Sequence, residues 1–253
     1  MNWRGLYTLF YKEVLRFSKV ALQTVLAPVI TSLLYLLVFS QVLEEHVEVY
    51  DGVSYTAFLI PGLIMMAITQ NAFANSSSSL IQSKVTGNII FVLLTPLSYM
   101  EFYLAFLMAS IVRGLMVGLG IFLVSLLFVD LPIHNVAYLL LFSLLSSAVL
   151  GSIGIIAGIW SEKFDHLAGF QNFIIMPLSF LSGVFYSIHS LPPFWQILSQ
   201  FNPFFYMIDG FRYGFFGLSD THPGMSIVVV VAAWLATAAI TLEMLRRGYK
   251  LKH

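Results

Sequence analysis

The residue whose type and position most invite chemistry is Arg113, which falls well inside an apolar run over residues 102–129. A guanidinium at that depth costs at least ~3 kcal/mol unless it is paired, hydrated or snorkelled. Its candidate neighbours are Gln70, Asn71 and Asn75. Asn71 and Asn75 are four apart and therefore share one helix face. Asn71, Asn75 and Arg113 read either as the polar lining of a translocation path or as a hydrogen-bond network inside a helix bundle. Spacing leaves both open.

Other reactive constellations are missing. The chain has no Gly-x-x-x-x-Gly-Lys-Ser/Thr phosphate loop, no His-Glu-x-x-His zinc motif and no cysteine. His134, His189 and His222 stand singly near the ends of apolar runs, and Ser182-Gly183 lacks the surroundings of an intramembrane serine protease. The acidic segment with Glu44, Glu45, His46, Glu48 and Asp51 has the oxygen ligands for a hard cation, but reads as solvated sequence. No catalytic, cofactor-binding or metal residues are expected, and catalysis by this chain alone is not expected. Asp209 and Arg212, three apart, can pair on one helix face.

The elements that position these groups are set by composition. With 59% hydrophobic and 9% charged residues, the sequence cannot solvate the surface of an ordinary soluble domain. Six runs are long enough for a ~30 Å hydrocarbon core: about 20–43, 57–74, 102–129, 136–160, 167–188 and 225–242. The fifth contains Pro177, a point where it can split. No run alternates as a barrel strand does. The first is too long for a signal-peptide core and is read as retained. The fold class is an all-α polytopic membrane protein with six transmembrane helices, as one domain over 1–253. Nucleic acid is not an expected partner; the lipid bilayer is.

Ten of the twelve Lys and Arg residues fall on one side of these runs: Arg4, Lys12, Arg16, Lys19, Lys84, Lys163, Arg246, Arg247, Lys250 and Lys252. The positive-inside rule then makes both termini cytoplasmic. In residues 1–19, Trp3, Leu6, Phe10, Val14 and Phe17 recur at three or four, which predicts an interfacial amphipathic helix. On the opposite side, 189–224 holds two short apolar stripes separated by Asn202-Pro203, the first beginning at Pro192-Pro193. Neither is long enough to span, so they predict an outer re-entrant hairpin marked by Pro192, Asn202, Pro203 and Arg212.

The order Ser182-Gly183, Leu191-Pro192, Asn202-Pro203, Arg212 resembles the C-terminal signature of type-2 ABC transporter permeases. Gly87 followed by Thr95-Pro96-Leu97-Ser98 is similar to the segment beside that family's coupling helix, although Lys84 is the single charge ahead of the glycine. The resemblance covers the whole chain. It implies the inner-membrane subunit of a bacterial exporter for an amphiphile such as a drug, lipid or lipid-linked glycan. It also implies a separate ABC ATP-binding subunit that carries ATP and Mg, with two permeases and two ATPases per complex. Within the cytoplasmic loop 75–101, Gln82, Lys84, Thr86, Gly87, Asn88 and Pro96 are then the ATPase-coupling residues. An ion-coupled transporter would want an acid buried in a span, and none of the twelve acids is placed that way. A membrane assembly factor without transport is the other alternative.

Overall fold

A computed structural model describes residues 2–43, 50 and 52–250. The described residues form eleven α-helices: α1 Trp3–Ser18, α2 Ala21–Leu43, α3 Tyr55–Val85, α4 Ile89–Leu93, α5 Tyr99–Ser125, α6 Val136–Trp160, α7 Phe164–Phe170, α8 Met176–Phe180, α9 Pro193–Gln200, α10 Pro203–Phe216 and α11 Pro223–Arg247. The only strand-like pairing among them is a bridge between Tyr50 and Val53. The acidic segment read as solvated sequence, Glu44 to Asp51, lies outside the described residues apart from Tyr50.

The centre is α3, 31 residues long and buried along most of its length. Helix α6 lies directly against it because two glycines bare its backbone. A Cβ at Gly154 would sit 2.5 Å from the Phe73 carbonyl oxygen, and one at Gly158 would sit 2.7 Å from Leu80. Close approach through small residues four apart is how helices associate where hydrocarbon gives no hydrophobic drive. Helices α5, α10 and α11 complete the bundle around this pair, while α2 and α11 show most of their surface outward.

Among the described residues five helices are long and apolar enough to cross a membrane: Ala21–Phe39 within α2, then α3, α5, α6 and α11. The expected fifth run, 167–188, is not one helix. It consists of α7, a π-helical turn Gln171–Ile175, and α8, followed by irregular chain to a 3₁₀ turn at Ile188–Ser190. The break has a local cause. Pro177 has no N–H to give and its ring clashes with the carbonyl four residues back, so the ladder shifts and Met176 N bonds Gln171 O instead.

The N-terminal helix forms as predicted, but its buried stripe is Leu6, Leu9, Glu13 and Phe17, turned against α5. Trp3, expected on the apolar face, is 68% exposed and continues into Tyr7, Tyr11 and Leu15. Phe10 and Val14 flank the buried stripe. The helix thus has two apolar stripes, one for the protein and one left outward. Hydrophobicity alone had merged them.

Candidate functional site

One end of the bundle gathers most of the positive charge. Asn2 at the head of α1 donates from its backbone N–H to Glu101 and from its side chain to Pro96 O at 3.4 Å. Glu101 also closes the capping box of α5, accepting from Ser98 N at 2.8 Å. At the same end, Lys250 pairs with Glu162 at 3.0 Å. The proposed coupling residues divide here. Gln82, Thr86, Gly87, Asn88 and Pro96 are exposed. Gly87 has φ +74°, a left-handed turn that ends α3 and that any side chain would strain. Lys84 instead turns inward, its Nζ donating to Ile159 O at 2.7 Å and Ser161 O at 2.6 Å. It closes the C-terminus of α6, where a cation meets orphan carbonyls and the negative end of the dipole. What the loop presents is apolar: Phe91 is 71% exposed and Leu94 77%, with Ile90 beside them.

Above this surface lies an inner polar network. Glu13 is fully buried, with Arg16 Nε at 3.2 Å and Lys12 Nζ at 3.2 Å. Arg16 Nη2 donates to Asn75 O at 2.8 Å and to Asn75 Oδ1 at 3.0 Å, and Nη1 reaches Ser78 Oγ at 3.4 Å. Asn75 Nδ2 continues to Ser110 Oγ of α5 at 3.4 Å. Arg113 meets Asn71 Oδ1 at 3.3 Å, while its Nε is buried without a partner. Asn71 and Asn75 do share a face, but they serve different arginines. Glu13 and Arg16 were missed in the sequence. The signal was present: an opposite-charge pair three apart, with Glu13 in register with Leu6, Leu9 and Phe17.

The far end is held by two carboxylates. Asp209, fully buried on α10, accepts from Asp220 N at 2.7 Å, from Thr221 N at 3.2 Å and from Thr221 Oγ1 at 2.7 Å, with Ser226 Oγ at 3.5 Å. Asp220 in turn accepts from Tyr50 Oη at 2.8 Å, Ser187 Oγ at 2.7 Å and Ile188 N at 2.8 Å. Burial pushes the Tyr50 phenol up from its ordinary pKa, so it remains a donor. The expected Asp209–Arg212 ion pair does not form. Arg212 is buried with Nη2 on Gly183 O at 2.9 Å and its guanidinium 3.8 Å from the centre of the Phe58 ring. Three acids, Glu13, Glu101 and Asp209, are buried among the described residues, all three engaged, and Glu13 and Asp209 lie outside the five long apolar helices.

Asn202 is buried at the junction of α9 and α10. Its Oδ1 caps α10 by accepting from Phe204 N at 3.0 Å, and its Nδ2 donates to Leu178 O at 2.7 Å, a carbonyl near the end of α8. Pro203 follows at the first turn of α10, where its missing N–H costs nothing. Pro192 opens α9, its carbonyl accepting from Trp195 N at 2.9 Å and Gln196 N at 3.1 Å. The two helices differ in burial. Nearly all of α10 is inside the protein, whereas α9 shows Phe194, Ile197, Leu198 and Phe201 outward.

Comparison with known proteins places this architecture. The family model described as ABC-2 type transporter matches residues 4–216. The inner membrane transport permease YadH of Escherichia coli (strain K12) is 36% identical, across all of this chain and 98% of its own length. Nodulation protein J of Rhizobium leguminosarum bv. viciae is 24% identical over 98% of this chain and 96% of its own. Nodulation protein J of Rhizobium meliloti (strain 1021) is also 24% identical, over 97% and 93%. From the bundle, its interior polar groups and these matches, the chain belongs to the ABC-2 type transporter family and is a membrane subunit of an ABC transporter.

Proposed function

We propose that this chain is the permease of an ATP-driven exporter, that it moves an amphiphile across the inner membrane, and that α4 is where the ATPase pushes. The observation that carries the reading is the exposed apolar pair Phe91 and Leu94 on a short helix, tied through Pro96, Leu97 and Glu101 to the head of α1. A load on α4 passes to α1, and Arg16 delivers it to Asn75 inside the bundle. ATP and Mg stay with the partner subunit, two of which act with two permeases. The broken run 164–180 acts as the sixth crossing. Its outward Phe173, Ile174 and Phe180 suit contact with a second permease. The clustered cations support a cytoplasmic side for both termini. Arg113, Asn71 and Asn75 line the path. The α9–α10 hairpin re-enters from outside, with α10 as its anchored limb and α9 as its lid.

The test is capture of the cognate ATP-binding subunit by the purified permease. Phe91→Ala combined with Leu94→Ala should weaken capture about tenfold to a hundredfold, as loss of two interface anchors does. Because the surface is apolar, raising salt to ~1 M, where the Debye length is ~3 Å, should change wild-type capture little. Undiminished capture by the double variant moves the socket elsewhere. Collapse of wild-type capture in salt makes the contact ionic.

A further inference from the structure

Helices α5 and α6 meet tightly at one end and part at the other. Near the α4 end, Tyr103 Oη and Ser152 Oγ are 3.0 Å apart, and a Cβ on Gly151 would come within 3.0 Å of Ser110. Toward the 126–135 connection the two helices splay and leave a cavity of about 410 Å³. Its back wall is Ile64 and Ile68 of α3 with Phe211 and Phe215 of α10. Its rims are Leu119 of α5 and Leu140 of α6, both more than half exposed on the outer surface of the bundle.

The helices that flank the space are packed closely against their other neighbours. On one side Gly118 brings α5 so close to α3 that a Cβ would lie 2.6 Å from Ile68. On the other, a Cβ on Gly214 of α10 would lie 2.5 Å from Leu139 of α6. At both walls a glycine backbone receives a side chain that also lines the slot, Ile68 on one side and Leu139 on the other, so the helices stand close on either side of the gap. It is lined by apolar side chains except for Ser143, whose hydroxyl is already spent on Leu139 O at 2.7 Å. Water has no partners there, and apolar cavities of this kind stay dry or take an apolar guest. The volume lies at the lower end of the ~300–1,000 Å³ typical of small-ligand sites. The mouth opens between two membrane-spanning helices, where the surrounding solvent is hydrocarbon.

We infer that this slot is a binding site for one hydrocarbon chain of a membrane phospholipid, entering sideways between α5 and α6. The chain would run along the helix axes, from Val136 at the loop end toward Ser143. The inference stands apart from the transport reading, since it needs only the bundle to sit in a bilayer.

The experiment is photolabelling in proteoliposomes made of phosphatidylethanolamine and phosphatidylglycerol, with a phosphatidylcholine probe carrying a diazirine in one acyl chain. Labelled peptides are mapped by mass spectrometry. Segments bearing Leu115, Leu119, Leu140 and Ser143 should be labelled roughly tenfold above Val228 and Leu235 of α11, which are as exposed as Leu119 and Leu140, as a specific site differs from annular lipid. Leu119→Trp fills the mouth and Ser143→Leu fills the floor. Each should abolish that excess and leave α11 labelling unchanged. The two variants approach the slot from different sides, so failure of one to insert leaves the other to decide. Even labelling of all exposed helices, or an excess that survives both fillings, overturns the site.

Discussion

The two polar regions of this bundle are built to different standards. At the far end, Asp209 and Asp220 are surrounded by donors at 2.7–3.2 Å, drawn from a loop, a 3₁₀ turn and Tyr50. Near the α4 end, Arg113 has one bond of 3.3 Å and an unpartnered Nε, and Arg16 and Asn75 reach their serines only at 3.4 Å. A saturated buried network specifies one arrangement, because any displacement strands several groups at once. A network with long bonds and spare donors has other arrangements within reach at low cost. The Asp209–Asp220 cluster is therefore a fixed latch, though Arg212 beside it shares with Arg113 an unpartnered Nε, and the near end has the looser network.

The largest effect should come from cutting the latch. Asp209→Ala removes the acceptor for the Asp220 and Thr221 amides and the Thr221 hydroxyl, and should cost at least ~3 kcal/mol. Thermal unfolding in detergent reads it, and a melting point within error of wild type would mean the latch is not structural. Arg16→Ala should be milder in stability, about 1–3 kcal/mol for the Glu13 carboxylate left buried. It should reduce substrate-stimulated ATPase activity of the complex roughly tenfold, equivalent to ~1.4 kcal/mol of coupling. Normal stimulation would show that α1 carries no load. Smallest is Asn71→Ala, which removes the 3.3 Å bond from Arg113 and a 3.0 Å bond to Ala67 O of its own helix, and should cost about 1 kcal/mol. If the near-end network lines the path, export should still fall. Unchanged export with unchanged stability would leave Asn71 without a role.

Much of this bundle was legible because hydropathy and turn chemistry are local. Five of the six runs correspond to single long helices, and Asn202-Pro203 marks a cap and turn that the structure reproduces. The fifth run, 167–188, is interrupted for a reason also local, the displacement of the ladder at Pro177, the point marked in the sequence as one where it can split. What could not be read was which distant backbone a side chain would serve. Lys84 looks like a solvent-facing charge in sequence, yet its partners are carbonyls about 75 residues away at the end of α6. Asp209 and Arg212 look like a pair, but loop amides and an aromatic ring compete for them and win. The α1 stripe was drawn through Phe10 and Val14 because they are apolar. Burial of Glu13 depends on Arg16 lying alongside, which a hydrophobicity pattern does not weigh.

The length of α3 has a mechanical consequence. At 1.5 Å per residue its 31 residues make a rod about 46 Å long. It is gripped most closely near Phe73, where the Gly154 backbone presses on it. A rod held at an interior point tilts about that point, so its ends travel in opposite directions. A tilt of about 5° moves each end by roughly 2 Å, given that rise per residue. An inward push at the Gly87 end therefore loads the Tyr55 end, where the Tyr55 hydroxyl holds Phe185 O at 2.9 Å two residues before the Ser187–Asp220 contact, and the latch resists the swing. A rod of this length carries a push from one end of the bundle to the other without any flexible joint.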